Sequence, residues 1–482
     1  MEYILKNLEP MKVFKYFEEI SAIPRGSGNE AAVVDYITAV ADSYNLEYKR
    51  DSHNNILIKK NSNRSDAPFV LLQGHTDMVC QANAGTVHDF EKDPLELYVE
   101  DGYVKARGTT LGGDDGVAVA YMLTLLTSDD KELPNLECLF TSSEEVGMIG
   151  AVNLDYSDIK SKMMINIDSE EEGISFVSCA GGVRLEMSFK SDAVEEKNKL
   201  LKIELKGLCG GHSGVEINTG KENAIVTIAA LLSKMYDFEP FNLVSFEGGT
   251  KDNAIPREAT AVIASPDPEK YNEIISEFIF EKKKIFSNEE KNFKIHTSKN
   301  KHIGSMFTFA DTSRIINEVT MAPNGVIRMS RHIEGLVQTS SNLGIIKAEK
   351  GEFHSVHLIR SNNEYEIDST VLAFSRLAKL LNCEYITCDR YPGWDYKADS
   401  KLRELYVEKF KDQYGYEPKI EALHAGLECG LISARIPGID IISIGPNIID
   451  IHSPDEKMEI ASVERTYKLL TTILKSIKKS LL

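Results

Sequence analysis

Short apolar runs that break off into a polar, ligand-type side chain recur along this chain, and they constrain its fold more than any other feature. Phe69-Val70-Leu71-Leu72 runs into Gln73-Gly74-His75-Thr76-Asp77, Leu136 to Thr141 into Ser142-Ser143-Glu144-Glu145, and Met163 to Ile167 into Asp168. Ile441 to Ile444 leads in the same way into Gly445-Pro446-Asn447. Helical periodicity covers Val13 to Ile20, Ala31 to Tyr44 and Val117 to Leu126, the last entered through Gly112 and Gly113. Buried short strands alternating with helices predict an α/β fold, and such sheets hold ligands beyond their strand ends.

From about Leu185 the pattern changes to longer, antiparallel-looking strands mixed with helices: a strand over Leu201 to Gly207, helices over Ala224 to Tyr236 and Glu269 to Ile285, and a strand-and-helix set from Leu336 to Leu381. Asn288 to His302, rich in Lys, Asn and Glu, reads as a solvated excursion without function. Trp394 to Ser400 reads as a crossing linker into a helix over Leu402 to Tyr414. Then α/β character returns, and an amphipathic helix over Val463 to Ile477 follows. The shifts predict a discontinuous α/β catalytic domain with a mixed sheet and flanking helices, residues 1–186 and 397–482, and an inserted α+β lid, residues 187–396, long enough for two similar subdomains.

A formal net charge of −19 disfavours nonspecific binding to nucleic acid or to an anionic membrane, because the mean field repels polyanions. No apolar run is long enough to span a bilayer, and Met1 through Met11, interrupted by Glu2, Lys6 and Glu9, lacks the hydrophobic region of a secretory signal. Seven scattered cysteines with no close pair fit a reducing compartment, so a cytoplasmic location is expected. The cysteines, Met78 and the single Trp394 are read as structural, with Cys80 at most an incidental neighbour of the site.

In an extended segment His75 and Asp77 share a side, so the carboxylate can take the second ring proton of His75 and leave the other nitrogen free for a metal. Each fragment has a structural reading too. Such a histidine can simply be satisfied within a core, Asp114 in Leu111-Gly112-Gly113-Asp114-Asp115-Gly116 can be a helix cap, and Glu144-Glu145 at a helix entry can serve the helix dipole. Taken together they supply His75, Asp114, Glu145, Asp168 and, from His452-Ser453-Pro454, His452: a hard-to-borderline donor set suited to zinc or manganese. A two-metal site needs a bridging carboxylate and a base. Asp114 is assigned as the bridge, with His75 and Asp168 on one side and Glu145 and His452 on the other; Glu144 is the general base, and Asp77 orients His75.

The ordered set Gly74-His75-Thr76-Asp77, Leu111 to Gly116, Ser143-Glu144-Glu145, Asp168 to Gly173 and His452 to Glu456 resembles the peptidase D family of aminoacyl-histidine dipeptidases, within the aminoacylase and carboxypeptidase-like zinc metallopeptidases. Ser178 to Gly182, Gly210-Gly211-His212-Ser213-Gly214, Gly248-Gly249-Thr250, Asn253 to Glu258 and His424 to Leu431 extend the likeness over nearly the whole chain. Pro24-Arg25-Gly26-Ser27-Gly28 and Leu111 to Asp115 differ slightly from the commoner forms, bearing on specificity more than on hydrolysis. The resemblance implies two zinc ions, with manganese or cobalt as substitutes, and hydrolysis of aminoacyl-histidine and other unblocked dipeptides by metal-activated water. It also implies substrate contacts from the lid through His212, Asn253, Arg360 and Gly426. His212 would stabilise the oxyanion and Arg360 would grip the peptide carboxylate with its planar fork. An N-acyl-amino-acid amidohydrolase and a noncatalytic metal- or peptide-binding protein are the alternatives, and a homodimer is left open.

Overall fold

The computed structural model describes residues 3–192, 194, 198–300 and 305–481, and the chain divides into two compact units. One comprises residues 1–178, 396–422 and 427–482; the other comprises 179–395 and 423–426.

The first unit is built on an eight-stranded sheet. Its spatial order is Glu47–Arg50, Ile56–Lys60, Asn135–Thr141, Phe69–His75, Met163–Asn166, Asp440–Ser443, Ile174–Cys179 and Lys419–Leu423. The central strands Asn135–Thr141, Phe69–His75, Met163–Asn166 and Asp440–Ser443 run parallel, which points their C-terminal ends the same way. Parallel strands covered on both faces read as unbroken apolar runs, and these are buried almost throughout. The helix Gly113–Leu126 is buried at every position, which explains why its sequence is apolar all round rather than along one stripe. Helices Met11–Ser21 and Ile460–Ser476 add Phe14, Phe17, Val463 and Leu470 to the same core.

The second unit carries a nine-stranded sheet whose pairings are antiparallel, ordered Lys294–Asn300, Lys199–Lys206, Ala259–Ser265, Asn242–Gly248, Val337–Glu349, Glu352–Ser361, Gly181–Lys190 and Glu384–Tyr391, with Gly325–Met329 against Val337–Glu349. Helices Ala224–Phe238 and Phe309–Met321 contribute Ile228, Leu232, Ile315 and Val319 to its main core, and Glu364–Leu381 contributes Phe374 to a second cluster.

Several expectations need adjusting. Gly181–Lys190 is one continuous strand of the second unit, and the first division between the two compact units falls at 178/179. Leu423–Gly426 also belongs to the second unit although it lies beyond 396. The helix expected from Glu269 opens as a 3-10 turn, Pro268–Tyr271, before Asn272–Ile285. The stretch taken as a solvated excursion contains the strand Lys294–Asn300, paired along its length with Lys199–Lys206; its lysines suit a sheet edge, where charge discourages further pairing. His302 lies outside the described residues. Among the described residues no helix is long and apolar enough to cross a membrane.

Candidate active site

His75 and Asp168 sit at the ends of parallel strands of the first unit, which deliver their last residues to one edge, whereas Asp114 stands at the entry of helix Gly113–Leu126 and His452 in the loop between Ile448–Ile449 and Lys457–Glu459. His75 closes Phe69–His75, and its parallel neighbour in register is Thr141, the last residue of Asn135–Thr141. Its ring is 1% exposed, with Nδ1 3.4 Å from Asp77 Oδ1 and 3.2 Å from the Asp77 carbonyl, while Nε2 faces Asp114 Oδ1 at 3.1 Å and Asp168 Oδ1 at 3.5 Å. A proton on Nδ1 is therefore held by Asp77, leaving the Nε2 lone pair free for a cation shared with the other two carboxylates.

Asp114 offers its second oxygen to a second imidazole: Oδ2 is 3.1 Å from His452 Nε2, and that same nitrogen lies 3.0 Å from Glu145 Oε1. The sequence-separated residues thus form a linear array, Asp168, His75, Asp114, His452, Glu145. His75, Asp114 and Glu145 gather their donor atoms within 4.8 Å of one another, as do His75, Asp115 and Asp168.

Glu144 and Glu145 were expected at a helix entry. They sit instead in a turn: Ser143 and Met148 have positive φ, and the helix begins at Ile149. Asp77 organises the turn by accepting the amides of Glu144 at 3.0 Å and Glu145 at 3.3 Å, while Ser27 Oγ donates to it at 2.8 Å. Asp77 is fully buried, so one carboxylate fixes both the orientation of His75 and the path of the glutamate pair.

The electrostatics show a cluster short of positive charge. Burial, reinforced by neighbouring carboxylates, pushes Asp115 and Glu144 well above the usual range. Burial lifts Asp168 to about 6 against the pull of His75, and lifts Glu170 to about 8. Burial also opposes the charge of Asp114, but His452 and His75 outweigh it and hold that carboxyl well below its ordinary value. His452 is raised to about 10 by Asp114 and Glu145; His75, despite burial, is raised by Asp114, Asp168 and Asp77. Two imidazoles pulled toward the cationic form among crowded carboxylates are the donor chemistry of a site for hard-to-borderline cations, which supply the missing charge and leave the histidines neutral. The residues present therefore fit a pair of divalent ions.

Asp115 was not singled out from the sequence. Its buried Oδ2 accepts the His75 amide at 3.2 Å, so it fixes the strand end by its backbone; its place beside Asp114 was the available signal. Glu428, also missed, is fully buried at the start of helix Glu428–Arg435 and accepts from Gln73 and from Thr141 Oγ1 at 2.7 Å.

His212, Asn253, Arg360 and Gly426 lie in the second unit. Gly211–His212 pairs with Ala254–Ile255, and the Ser213 amide donates to the Asn253 carbonyl at 2.9 Å. The amides of Gly214 and Val215 donate to His212 Nδ1, which puts the ring proton on Nε2; burial, then the charge of Arg360, lowers the pKa of this imidazole and keeps it a neutral donor. Arg360 is 6% exposed; Nη1 donates to Tyr391 at 2.7 Å, and Nε is buried without a partner. Gly426 falls in the short segment Leu423–Gly426.

The sequence profile of peptidase family M20/M25/M40 matches residues 71–476, spanning every member of the linear array. The chain belongs to the M20/M25/M40 peptidase family. Within that family it is 37% identical over 481 residues to the cytosol non-specific dipeptidase of Escherichia coli K12, covering 98% of this chain and 99% of the relative. The crystal structure of aminoacylhistidine dipeptidase from Vibrio alginolyticus superposes with a TM-score of 0.92 at 35% identity, covering 98% of each chain. Aminopeptidase PepT from Bacillus cereus shares the fold at a TM-score of 0.56 and 16% identity, over 97% of this chain and 98% of the other.

Proposed function

We propose that this M20/M25/M40 peptidase hydrolyses unblocked dipeptides, aminoacyl-histidine among them, in the cytosol, at two divalent ions, zinc in the first instance. The observation that carries the reading is the carboxylate of Asp114, whose oxygens each lie 3.1 Å from a different imidazole, with Asp168 flanking His75 and Glu145 flanking His452. Full-length similarity to two dipeptidases supports the substrate class, and the cytosolic designation of the Escherichia coli relative supports the compartment.

His75, Asp168 and Asp114 would hold one ion, and Asp114, Glu145 and His452 the other. Bound there, such ions polarise the scissile carbonyl and acidify a water. Glu144, adjacent to Glu145 but outside the array, accepts the water proton on its carboxylate and passes it to the leaving amine. Asp77 keeps Glu144 in place through its backbone amide. We assign His212 as the Nε2–H donor to the developing oxyanion, Arg360 as the partner of the peptide carboxylate, and Asn253 and Gly426 as further substrate contacts.

The test is amine release by the purified full chain from a panel of unblocked dipeptides, N-acyl amino acids and longer peptides, before and after chelation. Dipeptides should turn over fastest, chelation should stop turnover, and zinc should restore it. Faster cleavage of N-acyl amino acids, or turnover indifferent to chelation, would overturn the reading.

A further inference from the structure

The turn that carries Asp114 has no local reason to hold its shape. Gly112 is left-handed at φ 66° and ψ 33°, and the chain stays non-helical through Asp114 and Asp115 before helix Gly113–Leu126 becomes regular, so the amides of this turn have no intrahelical partner and Gly112 brings no side chain to them. Those amides are instead satisfied from the far end of the chain. Glu456 Oε2 accepts from Leu111 at 2.8 Å and Gly112 at 3.0 Å, and Oε1 accepts from Gly113 at 2.8 Å and more loosely from Asp114 at 3.4 Å. Glu456 is 3% exposed, and its oxygens face these backbone amides, so it acts on the turn rather than on an ion.

The same turn is also held by Arg25, 1% exposed, whose Nη2 donates to the Gly112 carbonyl while Nη1 donates to the carbonyls of Thr76 and Asp77, both at 3.0 Å. The clamp explains the glycines: a Cβ on Gly112 would stand 2.5 Å from Arg25 Nη2, and one on Gly116 would stand 2.6 Å from the same atom. Glu456 lies four residues after His452 in the same loop. One loop therefore carries both an imidazole that faces Asp114 and the carboxylate that shapes the Asp114 turn.

We propose that Glu456 is a positioning residue that ties the His452 loop to the Asp114 turn and thereby sets the affinity of the ion held between Asp114, His452 and Glu145. It rests on the two-ion reading above. Partners that orient ligands from behind change metal affinity by about 10- to 100-fold when removed. Glu456→Gln keeps the shape but turns a carboxamide NH2, itself a donor, toward backbone donors, so it breaks part of the clamp without opening a cavity.

The experiment titrates metal-stripped full-length wild type and Glu456→Gln with cobalt(II), following heat and the visible cobalt bands, with folding checked by circular dichroism. Wild type should take up two equivalents; uptake of fewer would sink the two-ion reading itself. Glu456→Gln should bind the first equivalent as wild type does and the second at least tenfold more weakly, with altered bands on that step. Two wild-type equivalents together with an unchanged isotherm and spectrum in the variant, whatever its melting temperature, would overturn the positioning role and leave the two-ion reading standing. Should Glu456→Gln fail to fold, Glu456→Asp, which keeps the charge but withdraws it by one methylene, carries the same criterion.

Discussion

Replacing Gln73 by leucine tests how the first unit holds the strand ends that carry the candidate ligands. Gln73 is fully buried two residues before His75, on the same side of the strand, and its side chain is the middle of a polar ladder across neighbouring strands. Nε2 donates to Glu428 and, at 3.2 Å, to Thr141 Oγ1; Oε1 accepts from Asn166 Nδ2 at 2.7 Å. Ser443 Oγ donates to Asn166 Oδ1, and Ser443 pairs with Ser169 at 2.8 Å. Leucine fills the space but strands the Asn166 amide and leaves Glu428 with Thr141 alone. Each buried polar group deprived of its partner costs about 1–3 kcal/mol, so the variant should lose about 2–6 kcal/mol. For a unit of this size a kilocalorie shifts Tm by about 2–4 °C, giving a fall of roughly 5–20 °C in a calorimetric scan. Gln73→Glu, which sets a second carboxylate beside Glu428, should be worse at neutral pH and recover as the pH falls. A Gln73→Leu transition within about 1 °C of wild type would refute the ladder as a structural element of the site.

Glu144→Gln should lower kcat by about 10²- to 10⁴-fold with metal content retained, and Glu145→Gln should weaken metal binding instead; kinetics with elemental analysis on both variants would separate the roles, and parent turnover in Glu144→Gln would remove it as the base. Asp114→Ala should lose ions from both positions, because the removed carboxylate faces both imidazoles; a variant with full occupancy at normal affinity would reject the bridge. His424, hydrogen-bonded to Ser340 at 2.7 Å, is lowered from 6.5 to about 3 by burial and then by the charges of Arg360 and His212. Its contribution to stability is therefore present above pH 6.5 and lost as the pH falls toward 3, reaching roughly 2 kcal/mol by pH 5. Denaturation of wild type and His424→Asn between pH 7 and 4.5 should show a shallower acid limb in the variant, and superimposable curves would exclude the effect.

The parts of the fold and site legible in the sequence are those where one local signal sufficed. Phe69 to Leu72 is an apolar run that only a buried strand accommodates, and the residues that end it must emerge at the sheet edge, so His75 and Asp77 could be placed together before any coordinates. Lys294–Asn300 failed because an edge strand meets solvent along most of its length, and its alternation carries charge rather than burial. The Glu144-Glu145 turn failed for another reason: adjacent glutamates after a strand read as a helix start, and nothing local announces that the Asp77 carboxylate will take their amides and bend the chain away.

Residues acting through non-local contacts left fainter traces still. Arg25 and Glu456 are separated by most of the sequence and meet at the backbone of one turn, and neither belongs to a periodicity or spacing that names its partner. What the sequence does record is their imprint: glycines at 112, 113 and 116 let side chains approach the backbone of a buried helix start, and at 112 glycine also permits the left-handed turn. Gly112 adopts a left-handed conformation with Arg25 against it, and an ideal Cβ on Gly113 would lie 3.2 Å from Glu456 Oε1. Glycine clustering beside a candidate ligand is therefore a sign that backbone donors and acceptors there are engaged by side chains from elsewhere. In this chain those side chains do for the Asp114 turn what the Asp77 carboxylate does for the Glu144-Glu145 turn: they hold a segment that carries a candidate ligand by its backbone and leave that candidate's own carboxylate free.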